Sequence, residues 1–385
     1  MGVAKFGMNM PRNVYSGLDA LDNLGTVVKN ATKVAIFTDR GILSTGLVDL
    51  PKKKIEEAGK EVVVISDLPP EPTYAQAQKL VDEFRESGCD FIVAVGGGSA
   101  MDTAKLASLL VTDRYTIKDL LDDPLLGEKT VPTCLIPTTA GTGSEATQNA
   151  IVAVPEKELK IGIVNPSMIP DYVILDAEMI RNLPRSIAAA TGIDAMAHAI
   201  ECFTSNKANP FSDLFALEAF DIIMNNIEEA CDNRDAIDAK NKMQIAAFYG
   251  GAAIASSGTT AVHALSYPLG GKYHIAHGVS NAILLVPVME FNEPAIRDRL
   301  AIAYDRVVHG EKTCTTVEEK SAWVVRRMGE IVKHLDIPTS LREFNVSPDD
   351  LESLVEAGMQ VTRLLVNNMR EVTADDARRI YQQIM

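Results

Sequence analysis

Four short runs rich in β-branched and other apolar residues, VAIFTD at 34–39, VVVIS at 62–66, FIVAV at 91–95 and TCLIPTT at 133–139, are separated by segments of a different character. Those segments, such as 48–60 and 73–88, carry apolar residues at the helical period. Strand, helix, strand at this spacing predicts a parallel sheet wound with helices, because parallel neighbours need a crossover connection. The stretch IVAVPEKELKIGIVNPSMIPDYVILD, 151–176, reads as a hairpin and one closing strand, punctuated by Pro and Asn turns. After Asp176 strand signals all but vanish. Apolar-periodic stretches at 184–204, 211–230, 238–256, 281–304, 317–335 and 349–366 predict an all-helical region opening near Pro184, a residue suited to a first helical turn. The expected organisation is an α/β domain over 1–180 and an all-α domain over 181–385.

Composition limits the partners. A chain of 385 residues, 46% of them hydrophobic, can build two substantial cores. Its formal net charge of −15, with no long basic stretch, argues against nucleic acid or an anionic membrane and leaves small molecules as the expected partners. No run reaches the roughly 18 apolar residues of a membrane span, and the N-terminus has no apolar signal core. The five cysteines are odd in number, scattered and free of CxxC spacing, so they read as thiols in a reducing cytosol.

Two strand ends run into glycine. FIVAVGGGSAMDTAKLA sets Gly96, Gly97, Gly98 and Ser99 between a buried strand and a helix, where backbone N–H groups and the helix N-terminus can cradle a pyrophosphate; Asp102 follows, expected in the first helical turn. PTTAGTGSEA repeats the arrangement with Thr138, Thr139, Gly141, Thr142, Gly143 and Ser144. One such loop alone is equally well explained by close helix–strand packing. Both together, at neighbouring carboxyl ends of parallel strands, favour a phosphate-bearing cofactor.

The helical half holds a second cluster. Asp194 and His198 in TGIDAMAHAIE are four apart, so a helix presents them one turn apart on one face. His263 lies in TTAVHALSYPL, a helix that Gly270 and Gly271 should terminate before the chain returns to His277. One carboxylate and three imidazoles suit Fe²⁺ or Zn²⁺ with a position left for a substrate oxygen. The plainer reading is histidines that cap or line a helical core.

VGGGSAMDTAK, PTTAGTGSEAT, TGIDAMAHAIE and HALSYPLGGKYHIAHGVSNA, taken in order, strongly resemble the iron-containing (group III) alcohol dehydrogenase family, which includes lactaldehyde reductase and 1,3-propanediol dehydrogenase. The resemblance implies a Rossmann-like parallel-sheet domain plus an all-helical domain, the dehydroquinate synthase-like plan. It implies metal ligands at Asp194, His198, His263 and His277, and nucleotide contacts at Gly96 to Ser99, Asp102, Thr138, Thr139, Thr142 and Ser144, with Lys160 near the nicotinamide ribose. Asp39 falls where the family accepts the adenosine ribose hydroxyls, so NAD(H) is expected over NADP(H). Asp39 also reads as a helix N-cap ahead of RGILST. The implied cofactors are NAD(H) and Fe²⁺, with Zn²⁺ or another divalent metal as substitutes; the implied partners are a small alcohol or aldehyde and a second copy of the chain, paired through KFGMNMPRNVYSG as a homodimer or larger assembly. With the nucleotide in one domain and the metal in the other, the reacting atoms are expected in the interdomain cleft.

The chain departs from the family at several points. A further His that relatives place four residues after the first metal-binding His of this stretch is Tyr267 here, which puts a histidine proton relay through that position in doubt. His274 is a candidate substitute carrier or substrate contact, its plainer reading being a solvated loop histidine. Glu71 replaces a common Asn beside the adenosine. The candidate catalytic residues are therefore His277, His274 and Tyr267, and the implied substrate pocket is Asn149, Ile254, Thr259, Tyr267, His274 and Thr362. This mixture, with Lys272 and Arg363 nearby, suits a short polar or anionic aldehyde better than a long-chain alcohol. The alternatives are a metal- and NAD-dependent sugar- or glycerol-phosphate enzyme of the dehydroquinate synthase-like group, and a non-catalytic assembly protein.

Overall fold

A computed structural model describes residues 5–157 and 159–385; the expectation of no signal core falls partly on residues 1–4, outside this range. The chain divides into two compact units, Asn9–Leu183 and Pro184–Met385, the second joined by residues 5–8.

The first unit carries β1 (Asn13–Ser16), β2 (Lys33–Phe37), β3 (Glu61–Ile65), β4 (Phe91–Gly96), β5 (Thr133–Pro137), β6 (Asn149–Val154), β7 (Leu159–Val164) and β8 (Tyr172–Leu175). Six of them form one sheet in the order β1, β8, β5, β4, β2, β3, with every pairing parallel. β4 and β5 are buried along their whole length, as parallel strands covered on both faces must be. One face packs Phe37, Phe84, Met101 and Leu135; the other packs Leu24, Ile36, Val93 and Ile136. β6 and β7 form the expected antiparallel hairpin, outside the main sheet. β1, from the segment expected to pair copies of the chain, lies at the sheet edge against β8.

The second unit is helical. Arg185–Phe203, Pro210–Asp232, Ile237–Ser256 and Val317–His334 fall where the periodicity predicts. The helix expected over 281–304 runs instead over His277–Val307, carrying Pro287 and Pro294 within it. The stretch 349–366 breaks into a 3₁₀ turn and two short helices, Leu351–Met359 and Thr362–Leu365. A last helix, Ala374–Ile384, was not anticipated; a capping box between Thr373 and Asp376 starts it.

The expected stop at Gly270 and Gly271 is also corrected. Helix Ala261–Tyr273 passes through both, and His274 ends it at φ 55°. Gly270 is buried and helical, so it serves packing rather than a left-handed cap. The cysteines are free thiols, with Cys89, Cys134 and Cys202 buried. No described helix is long and apolar enough to cross a membrane.

Candidate functional site

In the α/β unit the two glycine loops lie side by side at the carboxyl ends of β4 and β5. Gly96 closes β4, Gly97 is the N-cap, and Gly98 and Ser99 open helix Gly98–Leu109. A Cβ on Gly96 would come within 2.7 Å of the Ala100 Cβ, and one on Gly98 within 3.1 Å of the Thr142 side chain, so side chains are excluded where the loops meet. Thr138 and Thr139 carry buried hydroxyls with no hydrogen-bond partner, and so does Thr38 at the end of β2. Three unpartnered buried hydroxyls at the ends of β2 and β5, the strands that flank β4, fit a ligand rich in acceptors such as a dinucleotide pyrophosphate beside the helix N-terminus that follows β4.

Asp102 does not lie in the first helical turn. It sits one residue beyond, buried, accepting from the Ser144 hydroxyl and the Ile151 N–H and lying 3.0 Å from Lys105 Nζ. Lys105, fully buried, also donates to the Ser144 carbonyl, the Thr147 hydroxyl and the Asn149 carbonyl. Asp102 and Ser144 thus tie one loop to the other from beneath.

Asp39 caps helix Arg40–Ser44, accepting from Ile42 N–H at 2.9 Å. It also lines a cavity of about 460 Å³ with Arg40, Gly41, Asp67, Leu68 and Gln76. Lys160, on β7, is paired with Glu71 at 2.6 Å, and Glu71 holds a left-handed φ of 49°. Asn149 opens β6 in this unit, while the other five pocket candidates belong to the helical unit.

In the helical unit Asp194, His198, His263 and His277 converge, each offering a ligand atom, and those atoms all lie within 4.8 Å of one another. Helix Arg185–Phe203 supplies the first two one turn apart; His263 comes from the start of Ala261–Tyr273 and His277 from the first residue of His277–Val307. The latter helix can approach because residue 278 is glycine: a Cβ there would lie 2.3 Å from the Ala190 carbonyl oxygen.

Burial works against the Asp194 anion, but the imidazoles of His198, His277 and His263 overcome it and hold the carboxyl well below the usual range. Burial also opposes a charge on His263, yet Glu201 and Asp194 raise it to about 9. Asp194 has no Lys or Arg partner among the described residues; its ionic neighbours are the three histidines. A buried carboxylate ringed by three convergent imidazoles with no fixed cation is a donor set that fits a divalent ion.

Two further residues complete this cluster and were not anticipated. Asn281 Nδ2 donates to Asp194 Oδ1 and lies against the Nε2 atoms of His263 and His277. Glu201, fully buried, is hydrogen-bonded to His263 Nδ1. Spacing could have flagged both, since Glu201 stands three residues after His198 and Asn281 four after His277, each one helical turn from a ligand.

The sequence from 11 to 177 matches the family pattern described as iron-containing alcohol dehydrogenase, and 188–385 matches the C-terminal pattern of the Fe-containing alcohol dehydrogenase family. The chain belongs to the iron-containing alcohol dehydrogenase family. It is 34% identical over 373 residues to long-chain-alcohol dehydrogenase 1 of Geobacillus thermodenitrificans, covering 96% of this chain and 94% of that one. It is 31% identical to the NAD-dependent methanol dehydrogenase of Bacillus methanolicus, covering 96% and 97%. The alcohol dehydrogenase from Oenococcus oeni superposes with a TM-score of 0.93 at 28% identity, over 99% of this chain and all of the other. As a member of this oxidoreductase family, the chain acts between alcohol and carbonyl compounds.

Of the remaining pocket candidates, Tyr267 lies with its ring centre 6.1 Å from that of His277 and tilted 53° to it, and burial pushes its phenol pKa up against the pull of nearby Arg363. Ile254 is near the end of helix Ile237–Ser256, Thr259 is buried with its carbonyl accepting from Asn367, and Thr362 is exposed at the start of its short helix. His274 is exposed. Lys272, expected to add positive potential, is instead bound to Asp350 and Ser353.

Proposed function

We propose that the protein is an NAD(H)-dependent, Fe²⁺-dependent alcohol dehydrogenase or aldehyde reductase acting on a short polar or anionic aldehyde and its primary alcohol. The carrying observation is the buried convergence of Asp194, His198, His263 and His277 without a fixed cation. A divalent ion held by these four residues supplies Lewis acidity toward an alcohol or carbonyl oxygen, and a nicotinamide supplies the hydride acceptor or donor.

The chain's own residues do the rest. The backbone of Gly96 to Ser99 and the hydroxyls of Thr138 and Thr139 bind the pyrophosphate, supported by Thr142, Ser144 and Asp102, while Lys160 attends the nicotinamide ribose. Asp39 accepts from the adenosine ribose hydroxyls and repels a 2′-phosphate, in keeping with the NAD dependence named for the Bacillus methanolicus relative. Tyr267 Oη, or His274, holds the proton that the substrate oxygen gains or loses. Ile254, Thr259 and Thr362, all of the helical unit, shape the substrate pocket. The two relatives are named for a long-chain alcohol and for methanol, so substrate choice rests on this chain's pocket. Arg363, beside Tyr267 and in no ion pair among the described residues, supports an anionic or strongly polar substituent. The edge position of β1 supports a homodimer or larger assembly, and the free thiols suit the cytoplasm.

The test is NADH oxidation by Fe²⁺-reconstituted protein with glycolaldehyde, lactaldehyde, sulfoacetaldehyde, phosphonoacetaldehyde, propanal and butanal, with His263→Ala as control. A polar aldehyde is expected to have the highest kcat/KM. Higher values for butanal refute the substrate class, and an unimpaired His263→Ala refutes the site.

A further inference from the structure

The Glu201 carboxylate does two things at once. Its Oε1 accepts from the backbone N–H groups of Thr260 (3.0 Å), Val262 (2.9 Å) and His263 (3.4 Å) and from the Thr260 hydroxyl (2.7 Å). Its Oε2 meets His263 Nδ1. The first set is a helix cap delivered from another helix: Thr260 is the N-cap of Ala261–Tyr273, yet its own side chain makes no cap bond and points its hydroxyl at Glu201 instead. The unpaired N–H groups of a first turn are thereby satisfied by a group that also touches the ring of the third residue in that turn.

We propose that Glu201 is a positioning residue that decides which nitrogen of His263 faces the metal, an inference resting on the metal site proposed above. A carboxylate can only accept, so the hydrogen bond to Oε2 requires the proton on Nδ1. That leaves Nε2, 3.6 Å from Asp194 Oδ1, as the nitrogen that offers a lone pair to a metal once the ring sheds its second proton. Because the same carboxylate grips the backbone of residues 260–263, ring and main chain are fixed by one anchor, and rotation of the ring alone would break the Oε2 bond. Carboxylate–histidine pairs of this kind set ligand orientation and basicity at metal centres.

Glu201→Gln separates the two duties. An amide has one acceptor oxygen and one donor nitrogen, and four donors compete for the oxygen on the Oε1 side against one on the ring side. The amide oxygen is therefore expected to keep the helix cap and turn N–H₂ toward Nδ1, which drives the ring proton to Nε2 and removes the ligand lone pair. The experiment loads wild type and Glu201→Gln with Co²⁺, reading affinity by chelator competition and geometry by the visible ligand-field bands, with melting of both metal-free chains as the control for folding.

The expected result is a 10- to 100-fold loss of Co²⁺ affinity and altered bands in Glu201→Gln, with the metal-free chain still folded. Wild-type affinity and bands in a folded Glu201→Gln overturn the inference. A wild-type chain that takes up no Co²⁺ overturns the site reading and this inference with it. Should Glu201→Gln fail to fold, NMR of the Zn²⁺-loaded native chain decides: a far-downfield, exchange-protected Nδ1 proton on His263 supports the inference, and a freely exchanging one overturns it.

Discussion

Asn281 Nδ2 lies 2.7 Å from Asp194 Oδ1 and 3.1 Å from His263 Nε2, so a neutral donor rests among the atoms gathered for a metal. The amide partly answers the Asp194 charge without adding one of its own. Its Oδ1, buried, has no partner.

Replacing Asn281 by Asp puts a second carboxylate beside Asp194. In the metal-free chain the two repel at a cost on the order of 2 kcal/mol, lowering Tm by several degrees. Binding a divalent cation offsets that repulsion, so the gap in Tm between metal-free and metal-loaded protein should widen relative to wild type. Calorimetry with and without chelator checks this; an unchanged gap places Asn281 outside the metal's influence.

Gly278→Ala drives a methyl against the Ala190 carbonyl and pushes the start of helix His277–Val307 away from helix Arg185–Phe203. A loss of about 1–3 kcal/mol is expected, together with weaker metal binding because His277 is the adjacent residue. Gly310→Ala, where an added Cβ meets nothing within 4 Å, is the matched control and should change stability by less than about 0.5 kcal/mol. Equal denaturant midpoints for the two variants would refute the close approach.

Burial raises the Glu145 carboxyl to about 7, against the pull of its own backbone N–H and of Lys105 and with a push from Asp102. A carboxyl whose folded pKa lies above its unfolded value stabilises the fold at low pH and loses that contribution as pH rises from about 4.5 through 7. Over that window wild type should lose up to about 3 kcal/mol from this group. Glu145→Gln mimics the protonated acid, so its urea midpoint should stay flatter from pH 5 to 8; parallel profiles for the two chains would disprove the assignment.

Asp39→Asn keeps the cap on Ile42 N–H while removing the negative charge. The ratio of kcat/KM for NADPH over NADH should rise about tenfold or more, since about 1.4 kcal/mol of repulsion corresponds to that factor. No change in the ratio would mean that Asp39 acts here only as a cap.

The strands were legible because β-branched runs bounded by glycine leave little choice, and β2 to β5 lie within two residues of the expected positions. The helix boundaries were less so. Gly270 and Gly271 carry the local signature of a helix end, but tertiary packing keeps both helical and passes the left-handed turn to His274. The ligand-type residues of the site are chemically distinctive and stood out in sequence. Glu201 and Asn281 carry only a one-turn spacing from His198 and His277 as a signal, and their roles come from contacts 62 and 87 positions distant in the chain, to His263 and Asp194. Lys272 misled for the same reason, its partner Asp350 being 78 residues away.

All four candidate ligand residues come from a single compact unit, on three helices that begin at residues 185, 261 and 277. An ion bound there would be a cross-link closing the long loop from Asp194 to His263 and the short one from His263 to His277, and such a clasp favours the folded chain by restricting the unfolded one. The clasp can be fastened only after the three helices have docked. Until an ion arrives, the buried Asp194 carboxylate would be answered by imidazoles and the Asn281 amide alone, so the stability of the helical unit would follow the metal supply if these residues hold an ion.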